Sequence, residues 1–365
     1  MELTGRIRWL ALALPVALAA AASVVRPAPP GVLAGGPLPE HACAPGAART
    51  APDGAGPAWY RMDPVLGADG TLSAQRLTVG RGTARWSATL PAESFASGPV
   101  GGRVLVGDDD GQHSRLRLLD TGLGCWSTLG TTSDVIRSAI LAPDGARLYD
   151  HRVARGTRRD LGTWQRVLGG HPAAALRVLP GLPEDAAYGP TFSTSLLVAG
   201  DGRLVESACG ERACRTRVLD PATGAVATVN GTGPAAGLVG GRLVAFAPCD
   251  GLPCAVNAID LASGTATPLD EADGPVVAAP DTAGVVVLAD DGGLGVVRIG
   301  PGAADLHVPS ADGLVPVVAS STASSGIEAP RGHIAVAPGG RVSDPSLVRF
   351  LDPAALQLSA GEVLP

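Results

Sequence analysis

Three consecutive carboxylates, Asp108, Asp109 and Asp110, followed by Gly111, Gln112 and His113, are the first residues in this chain that could do chemistry. Hard cations such as calcium want several oxygens, and three adjacent Asp can offer them on a tight turn but not along a strand. The distal Glu and alternating spacing of an EF-hand loop are missing, so we assign no metal there. A basic group follows within what reads as one long loop, His151 to Thr163: Arg152, Arg155, Arg158 and Arg159, with Asp160 beside them. An acidic cluster next to a basic one can hold a polar partner by charge complementarity. The plainer alternative is that hairpin tips are wet, and wet loops are charged. A third group is the short segment between Cys209 and Cys214, which carries Glu211 and Arg212.

Catalytic signatures are absent. There is no G-x-S-x-G elbow to mount a nucleophilic serine. There is no H-E-x-x-H zinc helix. The six His, at 41, 113, 151, 171, 307 and 333, form no spaced pair. Gly231, Gly233 and Gly237 lack the spacing and the following helix of a dinucleotide fingerprint. No cofactor is implied.

The elements that must position these groups come from a repeat. Residues 200–226 read as turn, strand, hairpin pinned by Cys209 and Cys214, strand and turn. The pattern returns forty residues later in 240–266, with Cys249, Cys254 and Asp260 standing where Cys209, Cys214 and Asp220 stood. Arg103 to Asp120 and Arg203 to Asp220 are both 17 residues apart, and Arg242 to Asp260 is 18. Weaker copies cover 136–168, 275–309 and 313–360, and 59–90 holds two or three strands. Four-strand units at about 40 residues are the period of a β-propeller. The fold class expected is therefore all-β, a propeller of seven four-stranded blades, with six or eight as alternatives. The first unit is a strand short, which the segment after Ala360 or the leader near Cys43 would supply. The Asp at each strand-ending turn (Asp120, Asp220, Asp260, Asp352) is expected to accept backbone amides two residues on. Trp126 and Trp164 are expected to pack between blades.

Pro143-Asp144-Gly145 followed by Leu148-Tyr149, and Val218-Leu219-Asp220-Pro221-Ala222-Thr223-Gly224, resemble the YVTN, TolB-like and WD40-like propeller repeats of exported bacterial proteins. The likeness covers about 300 residues in architecture and a few positions per repeat. It implies a fold and is nearly silent on activity. The Trp-Asp and Gly-His of true WD40 repeats are missing. In such propellers the loops joining second and third strands open onto one face, together with the blade-to-blade links, and ligands bind there or at the channel mouth.

Composition agrees with a turn-rich β protein: Gly is 50, Pro 32 and aromatics 3%. The net charge of -6, with no basic run, argues against nucleic acid as a partner. Arg6 and Arg8 precede an apolar run of 17 residues, Trp9 to Val25, that ends in small residues. We read 1–25 as an export signal, or else an uncleaved membrane anchor. Residues 26–57 form a Pro/Gly/Ala-rich leader, and 58–365 the propeller. Six Cys in an exported chain suggest three disulfides, Cys209–Cys214, Cys249–Cys254 and Cys43–Cys125. A four-thiolate zinc site is the competing reading. The expected function is a non-enzymatic, extracytoplasmic binding or scaffolding module, its partner another protein or a small polar ligand. The membrane enters only through an uncleaved N-terminus. A propeller hydrolase or lyase, and a TolB-like envelope component, are the alternatives.

Overall fold

The computed structural model describes residues 36–37, 42–43, 56–82, 84–168, 175–182, 193–199, 202–210, 214–233, 235–239, 241–247, 256–268, 277–278, 284–290, 293–300, 313–317, 325–328, 334–336, 348–352 and 357–358. The 1–25 segment, Cys249, Cys254, Glu211 and Arg212 lie outside them.

The described strands are grouped in seven sheets. Four consecutive sheets run in simple chain order. They are Phe95–Val100 to Trp126–Thr132, Val135–Leu141 to Leu176–Pro180, Ser193–Val198 to Val226–Thr232, and Ala235–Val239 to Ala266–Pro268. Each is an antiparallel meander of four strands.

The inner strands read as nearly unbroken apolar runs because both faces are covered. In Arg103–Asp109, Val104 and Val106 pack against Tyr60, Leu77 and Val79 of the preceding sheet. Leu105 points the other way, onto Ile136, Ala139 and Leu148 of the next. The same alternation recurs two sheets on: Leu204 packs back onto Tyr149 and Leu179, and Val205 forward onto Leu243 and Ile259. A strand's side chains alternate sides, so one strand can seal two interfaces at once. No sheet could hide its own faces alone.

Closure departs from expectation. Gly313–Val317 does not open the last unit. It pairs with Gly284–Asp290 and completes the sheet before it. The strand that the first sheet lacks is Ser325–Ile327, antiparallel to Ala58–Leu66, while Gly36–Pro37 of the leader adds a parallel strand at the opposite edge. Glu328 then fastens the joint. Its carboxylate accepts the amides of Gly101 at 2.7 Å and Gly102 at 3.0 Å. Gly326 is forced here: a Cβ would lie 2.2 Å from the Gly98 carbonyl oxygen and 2.7 Å from the Tyr60 ring. Gly326→Val should therefore destabilise the fold by about 1–3 kcal/mol or more, read in urea denaturation. An unchanged midpoint would mean that this strand does not close the first sheet.

The repeated turns behave as predicted. Asp120, Asp220 and Asp260 each accept two amides on one carboxylate oxygen, from the second and third residues on. Gly124, Gly224 and Gly264 follow in the left-handed region, at φ 64, 73 and 73. These hydrogen bonds draw the Asp220 and Asp260 carboxyls below the usual range. The side chain of Asp352 lies outside the described residues. Cys43–Cys125 and Cys209–Cys214 are disulfides, closing loops of 82 and 5 residues.

Candidate functional site

The two charged clusters foreseen in the sequence meet each other. Asp109 ends the strand Arg103–Asp109 and Arg155 follows the strand Arg147–Val153 of the next sheet. The Arg155 guanidinium grips Asp109 with both Nη atoms, at 3.1 and 2.6 Å. It also donates to the carbonyls of Ser133 and Gly111, at 3.0 Å each. Burial opposes the charge on Asp109, but hydrogen bonds from Arg155, Ser114 and the Gly111 amide outweigh it and draw its pKa down to about 2. A two-pronged Arg–carboxylate pair fixes geometry as well as charge. Arg155 is therefore a brace between two sheets.

Asp108 is turned inward and fully buried, held by Arg115 at 2.8 Å and Arg117 at 2.6 Å. The Arg117 guanidinium lies 4.3 Å from the centre of a Trp126 ring on the neighbouring strand of the same sheet, and Trp126 packs between sheets as expected, clustered with Tyr60, Leu77 and Val79 of the preceding one. Asp110 caps its own turn, accepting the amides of Gln112 and His113 at 2.9 and 2.7 Å. The three carboxylates thus face three different ways. Among the described residues no group of His, Cys, Asp and Glu is arranged to hold a metal ion.

The stretch from His151 to Thr163 is not one long loop. Arg147–Val153 and Asp160–Val167 are strands, and only 154–159 turns. His151 and Asp160 are consequently buried, not offered to a ligand. Asp160 accepts the amides of Gly162 at 2.7 Å and Leu182 at 2.8 Å, and its Oδ1 lies 3.3 Å from His151 Nε2. His151 Nδ1 lies 3.4 Å from Glu206 of the following sheet. Thr163 donates to Glu206, and Arg217 donates to its other oxygen. This sealed polar cluster, spanning two sheets, is a feature that sequence reading missed. The signal was present in Tyr149-Asp150-His151-Arg152: charges inside an apolar strand pattern imply a facing partner.

A cleft of about 690 Å³ opens between the 95–132 and 135–180 sheets. It lies at the loop end, where the Pro91–Phe95 link meets the turns after Asp109 and Val153. Phe95, Val135, Ile136 and Val153 give it an apolar floor. Arg137 and Arg158 stand exposed at its rim with Glu93. Of the ten expected binding residues, Asp109, Arg155 and Arg158 line it. His113, Arg159 and Asp110 are not among its walls, and Asp108 and Asp160 are interior. Glu93, Ser94 and Arg137 were not foreseen, since they sit in a blade link and a strand start that carry no motif.

Arg158 holds a left-handed backbone, φ 58, the one such non-glycine among the described residues. That conformation strains an L-residue with a Cβ by about 1–2 kcal/mol. Allowing for glycine's greater freedom in the unfolded chain, Arg158→Gly should raise stability by about 0.5–1 kcal/mol. Calorimetry will show it as a higher Tm. A lower Tm would mean that the Arg158 side chain supports the fold.

Antiparallel sheets of four strands, packed face to face in chain order with the first completed from late in the chain, define a β-propeller. No protein-family model matches the chain, and no curated protein matches it. Among solved structures it is similar to TolB from Acinetobacter baumannii, with TM-score 0.43 and 13% identity over 74% of this chain and 66% of TolB. It is similar to a puromycin-hydrolyzing peptidase of Mycobacterium tuberculosis, with TM-score 0.38 and 18% identity over 58% of this chain and 36% of the peptidase. The β-propeller domain of the trilobed protease from Pyrococcus furiosus gives TM-score 0.39 and 11% identity over 72% of this chain and 85% of that domain. The chain thus spans less than two thirds of the length of TolB and of the peptidase.

Proposed function

We propose that this protein is an extracytoplasmic binding module, and that the cleft between the 95–132 and 135–180 sheets takes its partner. The observation that carries the reading is the 690 Å³ cleft itself, in a common size range for ligand sites and set on braced strands. The Asp109–Arg155 brace holds the two walls together before any partner arrives. Preorganised walls lose less entropy on binding. Disulfides at two places suit a chain matured in an oxidising compartment.

The test uses the chain as exported. Arg137→Ala with Arg158→Ala should leave the unfolding free energy within about 0.5 kcal/mol of the parent, since both side chains are exposed. Capture of a partner from the extracytoplasmic fraction should fall at least about tenfold, as expected when charged hydrogen bonds are lost. Arg177→Ala, on the outer strand of the same sheet, is the control and should capture normally. Undiminished capture by the double variant would remove the cleft from the function. Arg155→Ala is unsuitable here, because it would cut the brace.

A further inference from the structure

Resting on that reading, the geometry points to a ligand class: the cleft takes the free C-terminal end of a peptide, a carboxylate beside an apolar side chain. Three observations converge.

The first is charge. Five ionisable side chains line the cleft. Asp109 and Arg155 neutralise each other. Glu93 remains against Arg137 and Arg158, neither of which has an ion-pair partner among the described residues. The cleft is thus net positive on a chain whose net charge is -6. A single carboxylate fits one or both guanidinium forks. The second is the floor of Phe95, Val135, Ile136 and Val153, which bare phosphate would leave unfilled and an apolar side chain would cover. The third is size. The open, 690 Å³ cleft offers more room than one capped residue fills, which favours the end of a longer chain over a small free acid.

The strained backbone of Arg158 fits the same picture. Glycine would suit that turn better, and the chain instead places a guanidinium there, at the cleft rim.

Titration calorimetry with three probes tests this on the full chain: a tetrapeptide ending in free leucine, the same tetrapeptide as its C-terminal amide, and N-acetyl-leucine. The acid peptide should bind, weaken with added salt, and exceed both the amide and N-acetyl-leucine by at least about tenfold. Arg158→Gly and Arg137→Gln should each weaken it severalfold without lowering Tm, and Glu93→Gln should strengthen it. Equal binding of acid and amide overturns the carboxylate assignment. Equal binding of N-acetyl-leucine overturns the peptide. If no probe binds while capture still depends on Arg137 and Arg158, this inference falls and the binding module stands. If capture is also independent of them, both fall.

Discussion

Replacing Glu206 by Ala is expected to remove about 3–5 kcal/mol of folding stability, the usual consequence of orphaning one half of a buried ion pair. Glu206 is 1% exposed and faces its partners across a sheet interface. Arg217 lies directly opposite on the neighbouring strand and donates to one oxygen, and also to the carbonyl of Pro180 at 2.6 Å. Thr163 and His151 of the preceding sheet address the other oxygen. Deleting the carboxylate leaves the Arg217 guanidinium, 6% exposed as a residue, with one carbonyl instead of a counter-charge. Urea denaturation at pH 7 reads the loss. A change below about 1 kcal/mol would mean that the interface relaxes and lets water in.

The same group sets an acid limit. Burial pushes the Glu206 carboxyl up, but the His151 hydrogen bond and charge, with Arg217 and Thr163, override it and hold its pKa at about 2 against an ordinary 4.5. A depressed carboxyl stabilises the fold when ionised, so its contribution is complete above about 4.5 and disappears as pH falls toward about 2. The groups facing it are His151, Thr163 and Arg217, with Asp160 on the far side of His151. The stability difference between the parent and Glu206→Gln should therefore shrink as pH falls across that window. A difference that grows on acidification would reverse the assignment of charge.

What the sequence displays clearly is whatever is local and repeated. The Asp220 and Asp260 turns, the Cys209–Cys214 hairpin and the period of the strands all depend on residues within a few positions of each other. A turn needs only its own four residues, so its chemistry is written in order. The polar interior is hard to read for the opposite reason. Asp109 and Arg155 are 46 residues apart, and Thr163 and Glu206 are 43 apart. Each of these charges looks like surface until the facing sheet is known. The run Asp150-His151-Arg152 shows how this misleads. Three polar residues following an apolar strand suggest a loop, yet Asp150 and Arg152 point to the preceding sheet and His151 to the next. The closing strand is hidden too: Ser325–Ile327 pairs with Ala58–Leu66 across most of the chain, and three residues carry no pattern. The cleft follows from neither motif nor repeat, since its walls come from the ends of four separate strands.

Removing the Cys43–Cys125 disulfide, by Cys43→Ala with Cys125→Ala, is expected to lower stability by about 4–5 kcal/mol on the chain-entropy account. The closed loop spans 82 residues, and it contains the whole first sheet apart from the Gly36–Pro37 and Ser325–Ile327 strands, together with most of the second. Reduced and unfolded, those residues regain the conformations that the bond denies them. The native side contributes as well: Cys43 donates its amide to the Trp126 carbonyl at 2.8 Å, and Ala42 bridges the same residue. That contact tethers the leader beside the strand where Trp126 stacks with Arg117. The comparison that isolates the entropic effect is Cys209→Ala with Cys214→Ala. That loop spans only 5 residues, so the same account gives about 2 kcal/mol. Both pairs include a buried cysteine, Cys125 at 4% and Cys214 at 3% exposure, so the loss of sulfur packing is comparable. Denaturation of the two double variants side by side should show the long loop losing about twice as much. Equal losses would place the stabilisation in native packing, and the leader would then be a passenger on the body instead of a clamp across its first two sheets.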